Sequence, residues 1–521
     1  MPELALNNLT AALGLVGVVI LAAALLSGLI ERSNFPQVGA FVLLGLALGP
    51  FGAGWFDIGL GSDSLRFVAT LSLASVLFLD AMSLDLVEVR RRAWLAALIL
   101  GPGTLLVVAI LTFGAMAYLG LEPMLALILA AGLGSTDPVL LRGLLRRPDL
   151  PMATRTALRL ESGLNDIVLL PIVLVAMASI QTQSEQGGLL LLGQTLGRML
   201  VVGPLVGFVV SFLAVRAIVW VRKRVTVRRD YEALYSLGIA LSAFAAGEAT
   251  HTSGYLAAFG AGLAILIFDE ELCDCFHEFG QTLAELLLLL TFVFLGGSLL
   301  WSGFGVVDPN VALFVVLALA ARPLVMGIAL LGSKLDVRSR RHIVWFGPRG
   351  LSTLLIILVP IFEKTPGTEA VFPYAALVVV VSILLHGGTA MLSGRRAARR
   401  PAIADDHPIV LPLARIQEWA DMGRTVVFID ARSHADYTRS ESDWEGAVRI
   451  DPDFVAKSIR EEGLAPSDWQ AVYCSCLDDV TAIRVARAMR RLGLHHATAI
   501  RGGWEEIRRT GYNLVERERA L

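Results

Sequence analysis

Apolar runs near the length of a bilayer crossing recur along most of this chain, and they constrain it more than any other feature. A crossing needs about 20 mostly apolar residues. Runs that meet this test, some marginally, are 10–30, 36–53, 66–83, 93–119, 121–142, 157–180, 190–221, 231–249, 254–268, 281–301, 310–332, 342–362 and 370–393. About thirteen transmembrane helices are therefore expected. The run 254–268 is short enough to be re-entrant instead.

Charge divides the chain. Of 521 residues 17 % are charged, against about 25 % in an ordinary soluble domain. The 127 residues from Arg395 onward hold 20 Lys or Arg and 20 Asp or Glu, leaving 24 and 26 for the first 394. A membrane part over 1–394, a basic linker over 395–406 and a soluble tail over 407–521 follow. The net charge of −2 gives no reason to expect a polyanion, so nucleic acid is excluded as a partner. Four cysteines, as Cys273/Cys275 and Cys474/Cys476, make no disulfide framework. A metal role for these pairs lacks a third and fourth ligand at recognisable spacing. The first apolar run lacks a basic leader and is followed by more, so no cleavable signal peptide is expected.

Basic residues orient the spans. Alternate connections carry Arg90–Arg91–Arg92; Arg142, Arg146, Arg147 and Arg155; Arg222–Lys223–Arg224 with Arg228 and Arg229. The series continues with Lys334, Arg338, Arg340 and Arg341, then Arg395, Arg396, Arg399 and Arg400. The connections 181–188, 250–253 and 302–309 hold none. An odd span count then puts the N-terminus outside and the tail in the cytoplasm of a multi-pass cell (inner) membrane protein.

Ionisable residues at bilayer depth are candidates for function by default. Asp80, Asp137, Glu161, Asp166 and Arg322 lie inside runs, and Arg349 begins one. Asp166 is about nine residues into its run and Arg322 about twelve, both near mid-depth by the helical rise. In Glu161–Ser162–Gly163–Leu164–Asn165–Asp166, Ser162 and Asp166 share a helix face, as do Glu161 and Asn165. A carboxylate and a hydroxyl on one face are hard oxygen ligands for a small cation. Gly134–Ser135–Thr136–Asp137–Pro138 and Phe346–Gly347–Pro348–Arg349–Gly350 interrupt the fifth and twelfth runs. These runs correspond if 1–6 and 8–13 are two inverted repeats, and paired broken helices point to a transporter's central site. Blander readings stand beside these. Asp137 can cap a half-helix, Arg349 can snorkel to the interface, Asp80 can end a span, and Glu161 with Arg322 can be a structural ion pair. Asp166 has no spare basic residue to neutralise it.

These residues resemble the electroneutral sodium/proton exchanger and antiporter family of the cation/proton antiporter superfamily. Thr136–Asp137–Pro138, Glu161–Ser162–x–x–Asn165–Asp166, Arg322–Pro323 and Arg349–Gly350 carry the resemblance in order, with Pro36–Gln37–Val38–Gly39 to Gly49–Pro50 before them. The resemblance implies a core domain rocking against a dimerising one, hence a homodimer. It implies that Asp166 binds cation and proton in turn, helped by Ser162 and a backbone carbonyl near Thr136. It further implies a Glu161–Arg322 bridge and an Asp80 acting through water. Asp137 and Asn165 complete the expected ligand group.

In the tail, Val426–Asp430, Trp469–Tyr473 and 497–500 read as strands, and Thr481–Leu492 as a helix, a small parallel α/β domain. Asp430–Ala431–Arg432, Gly446–Ala447, Tyr473–Cys474 and Gly502–Gly503–Trp504 resemble a rhodanese-like domain over about 407–515. There, the loop opening at Cys474 would cradle a small anion or a sulfur species as a persulfide. Here Cys474–Ser475–Cys476–Leu477–Asp478–Asp479–Val480–Thr481 has two acids and no base, which opposes a thiolate. Asp443 and Trp444 stand where that family has a histidine. A regulatory or binding module is the leading reading over a sulfurtransferase.

The expected whole is an all-α polytopic membrane protein with a small cytoplasmic α/β domain. Its expected activity is electroneutral exchange of Na⁺ (or Li⁺) for H⁺, with membrane lipid as its surround and no cofactor. A K⁺/H⁺ exchanger on the same scaffold, or a membrane-tethered sulfurtransferase, are the alternatives.

Overall fold

The computed structural model describes residues 9–33, 37–84, 97–137, 140–141, 145, 152–184, 189–225, 229–268, 270–331, 333, 337–398, 409–432, 436–437, 440, 442–452, 455–475, 479–511 and 514–516. Arg90–Arg92, Pro138, Arg142, Arg146, Arg147, Arg228, Lys334, Arg399, Arg400, Cys476 and Asp478 lie outside these, as do the side chains of Cys273 and Cys275. The chain divides into two compact units. One is Met1–Arg142 with Ala157–Leu392, the other Gly143–Thr156 with Ser393–Leu521.

In the first unit a helix occupies every apolar run. They are α1 (Leu9–Ser33), α2 (Gln37–Leu48), α3 (Asp63–Met82), α4 (Thr104–Leu119), α5 (Pro123–Gly134), α6 (Met152–Ser184), α7 (Leu189–Gly197) and α8 (Gly203–Arg222). Next come α9 (Arg229–Ala249), α10 (Gly254–Phe268), α11 (Glu270–Gly297), α12 (Pro309–Ala329), α13 (Val337–Trp345), α14 (Leu351–Phe362) and α15 (Phe372–Ala398). Among the described residues, seven helical stretches are long and apolar enough to cross a membrane. Five more apolar helices are shorter, including α2, α5, α10 and α14. Length is lost where Gly and Pro interrupt the runs: Gly49–Pro50 ends α2, and the two breaks shorten α5 and α14.

These helices form two packed groups: α2, α3 and α8–α11 in one, α4, α5 and α12–α14 in the other. Small residues bring helices close in the first group, with Gly207 against the Ala257 backbone and Gly260 against the Pro204 backbone. In the second group all twelve residues of α14 are buried, as expected of a helix apolar all round. Its start and the end of α5 meet at the two breaks.

The second unit is an α/β fold. Its elements are β1 (Val410–Leu411), α16 (Leu413–Asp421), β2 (Val426–Asp430), β3 (Ser442–Trp444), β4 (Val448–Arg449) and α17 (Val455–Glu462). There follow β5 (Trp469–Tyr473), α18 (Val480–Arg491), β6 (Thr498–Ile500), α19 (Gly503–Thr510) and β7 (Leu514–Glu516). Five strands form one sheet in the order β1-β6-β5-β2-β4, all parallel, and β3 pairs antiparallel with β7. One apolar layer packs Val455 and Ile459 of α17 and Val485 and Met489 of α18 on the sheet. Leu413 and Ile416 of α16 and Trp504 and Ile507 of α19 form the other. The three expected strands are β2, β5 and β6. The rest are two or three residues long, too short for alternation to show.

Candidate functional site

The site is built where the two breaks cross. Residues 135–137 follow α5 as irregular chain, and 346–350 separate α13 from α14. Each broken helix end leaves unpaired backbone groups and a partial charge. Here the two segments satisfy one another. Asp137 Oδ2 accepts the Leu351 N–H at 2.6 Å, which caps the start of α14. Arg349 Nη1 donates to Gly134 O at 3.0 Å and Ser135 O at 3.1 Å, which caps the end of α5. The Asp137 N–H also donates to Pro348 O at 3.0 Å. An acid thus sits at a positive helix start and a base at a negative helix end.

Two glycines permit this closeness. A Cβ on Gly350 would overlap the Asp137 carboxylate, and one on Gly347 would overlap the Arg322 guanidinium. Arg322, on α12, clasps Glu161 of α6 with two parallel bonds, Nε to Oε1 at 2.7 Å and Nη2 to Oε2 at 2.6 Å. Its remaining nitrogen donates to Val344 O at 3.0 Å. Both partners are 3 % exposed at the side chain.

Asp166 lies beside the crossing on α6 and is 2 % exposed. Ser135 Oγ donates to its Oδ1 at 2.5 Å. Among the described residues no basic side chain pairs with it, since Arg322 and Arg349 are both committed elsewhere. Among the described residues, two nearby oxygens have no hydrogen-bond partner, the buried Thr136 hydroxyl and Asp80 Oδ2. Asp80 Oδ1 lies 4.0 Å from where a Gly163 Cβ would stand, which puts it beside the same turn of α6.

Several expected roles change. The hydroxyl bound to Asp166 belongs to Ser135, not to Ser162, whose proton goes to Leu158 O at 2.9 Å. Asn165 was expected among the cation ligands. Its Nδ2 donates to Gly134 O at 2.9 Å and its Oδ1 receives a bond from Thr104 at 3.4 Å, so its amide braces the end of α5. Asp137 was expected there too, and its Oδ2 is spent on the α14 cap. Arg349 does not snorkel: it is 2 % exposed and its charge is used internally. Asp80 lies in the last turn of α3, which ends at Met82. Ser135 lay inside the interrupted segment already singled out. It was missed because sequence spacing relates residues within one helix and says nothing of contacts between α5 and α6.

In the second unit, Arg432 is fully buried and held by Asp430 at 2.6 Å and Asp443 at 2.5 Å. Burial opposes its charge, but the hydrogen bonds and charge of Asp430, then Asp443, more than reverse this and raise its pKa. Cys474 follows β5 and is buried, 2 % exposed. Asp479 Oδ2 accepts the Gly502 N–H at 2.8 Å, and Ser475 Oγ donates to Asp436 at 2.6 Å. A carboxylate therefore lies at each described end of this loop, Asp436 against Ser475 and Asp479 itself.

Half-helices with crossed, mutually capped ends around a buried carboxylate mark a helical membrane protein of the discontinuous-span class. The family model described as sodium/hydrogen exchanger, transmembrane, matches residues 18–392, and the chain belongs to that family. It is 24 % identical over 393 residues to the K(+)/H(+) antiporter NhaP of Alkalimonas amylolytica, covering 74 % of this chain and 66 % of that protein. It is 26 % identical over 351 residues to the Na(+)/H(+) antiporter NhaP of Pseudomonas aeruginosa, covering 62 % and 80 % respectively. The chain thus spans just under two thirds of the length of the Alkalimonas relative. In fold it is similar to the sodium proton antiporter MjNhaP1 of Methanocaldococcus jannaschii, with a TM-score of 0.60 at 20 % identity over 75 % of this chain and 99 % of that one.

Proposed function

We propose that this protein is a cation/proton antiporter in which Asp166 binds the cation and the proton alternately. The observation that carries this is a buried, uncompensated carboxylate with one hydroxyl donor, beside two unpartnered oxygens. A carboxylate in that setting is neutralised either by a proton or by a small cation, and the two compete. Asp166, Thr136 and Ser135 supply hard oxygens to the cation, and Ser162 on α6 and Asp80 on α3 assist from beside them. Asp137 and Arg349 neutralise the helix ends without the cargo, so the crossing keeps its shape whichever ion is bound. Thirteen spans, an outward N-terminus and a cytoplasmic tail complete this reading, as does assembly as a homodimer.

The proposed cargo is Na⁺ or Li⁺. The second reading is K⁺, favoured by relatives such as the Alkalimonas protein and the K(+)/H(+) antiporter NhaP2 of Shewanella sp. (strain ANA-3). The tail is proposed as a rhodanese-like module that modulates exchange. Its acidic loop argues against sulfurtransfer. The deciding experiment is proton flux in proteoliposomes driven by Na⁺, Li⁺ and K⁺ in turn. Wild type should exchange and folded Asp166→Asn should not. Cation-driven flux through purified Asp166→Asn would overturn the assignment.

A further inference from the structure

Between Ala375 and Leu392, α15 carries three polar side chains, Ser382, His386 and Thr389. Their spacing of four and three puts them on one helix face. All three hold the break at 346–350. Ser382 Oγ, fully buried, accepts the Arg349 N–H at 2.7 Å and shares a hydrogen bond with His386 Nδ1 at 3.1 Å. The His386 ring lies 5.7 Å from that of Trp345, the last residue of α13. Thr389 Oγ1 accepts from Trp345 Nε1 at 3.1 Å and donates to His386 O at 3.0 Å. One end of the break is therefore held through Trp345 and the other through Arg349.

We propose that Ser382, backed by His386 and Thr389, is a positioning residue for the exchange site. The inference rests on the antiport reading of Asp166. A segment without helical hydrogen bonds takes its path from outside partners, because each buried N–H must find an acceptor. Ser382 supplies that acceptor to Arg349. The Arg349 guanidinium then reaches Gly134 O and Ser135 O, and Ser135 Oγ reaches Asp166. Ser382 is thus linked to Asp166 through two residues, Arg349 and Ser135. Without Oγ the Arg349 N–H is stranded, the break relaxes to pair it, and the Ser135 hydroxyl loses its aim.

The test uses the full chain in proteoliposomes, with wild type, Ser382→Ala, Ser382→Thr, Ser135→Ala, the Ser135→Ala/Ser382→Ala pair and Asp166→Asn. Ser382→Ala should lower turnover about tenfold, since misplacing a reacting group by an ångström costs up to about a hundredfold. Ser382→Thr, which keeps the oxygen, should restore most of it. The double variant should lose no more than the worse single one, because both act through the same link. If Ser382→Ala is not recovered folded, Ser382→Cys, a weaker acceptor of similar size, is read in its place. Wild-type turnover in Ser382→Ala, no rescue by threonine, or additive losses would overturn the proposal. Flux through Asp166→Asn would instead overturn the reading beneath it, whatever Ser382 does.

Discussion

Asp137 and Leu351 stand 214 positions apart, and the carboxylate of the first caps the helix that begins at the second, Oδ2 to N at 2.6 Å. The bond ties the two broken helices together at the point where each has lost its own backbone partners. Replacing a capping side chain by alanine costs about 0.5–2 kcal/mol even at exposed helix ends. Asp137→Ala is therefore expected to lower the melting temperature and most of the exchange. Asp137→Asn keeps an oxygen acceptor and should melt closer to wild type. Equal melting of Ala and wild-type proteins would show that the cap contributes nothing.

Glu161 and Arg322 form a bidentate, buried ion pair in the first unit. Removing one member of such a pair costs roughly 3–5 kcal/mol, because the other is left charged in a dry place. Glu161→Ala should thus destabilise more than the double change Glu161→Gln with Arg322→Gln. Thermal unfolding in detergent distinguishes them, and three coincident melting curves would remove the pair from the stability account.

The proposal of one-for-one exchange rests on Asn165 being neutral next to Asp166. Turnover should not respond to an imposed membrane potential. Asn165→Asp sets an anion against the Gly134 carbonyl, to which the amide now donates. That variant should fold less stably. Voltage-dependent turnover in wild-type proteoliposomes would count against electroneutral exchange.

Every side chain assigned to exchange lies before Arg395, so truncation near Arg400 should leave cation/proton exchange in place and alter its maximal rate or pH dependence. Within the tail, Arg432→Ala should lower that unit's stability by about 3–5 kcal/mol, since Asp430 would lose its buried partner. Limited proteolysis of the full chain reads this out, with cleavage after residue 409 rising in the variant. A well-folded truncated protein without exchange would make the tail part of the transport machinery.

The apolar runs alone placed the helices, because burying a long continuous apolar run leaves the backbone few other choices. Glycine and proline in 134–138 and 346–350 marked both breaks for an equally local reason. Asp166 stood out since a carboxylate inside an apolar run with no spare basic residue to neutralise it has no cheap explanation. Glu161 and Arg322 were legible as the acid and base left to pair. The partners of Asp137, Arg349, Asn165 and Ser135 were not legible, because each is on another helix. Sequence periodicity orders the side chains around one helix axis only. It could not show that Ser135 supplies the hydroxyl that Ser162 was expected to give, nor that α15 holds the break through Ser382 and Thr389. Which polar atom meets which was decided when α5, α6, α14 and α15 packed, since burial forced every backbone donor stranded by the breaks to find an acceptor across the crossing.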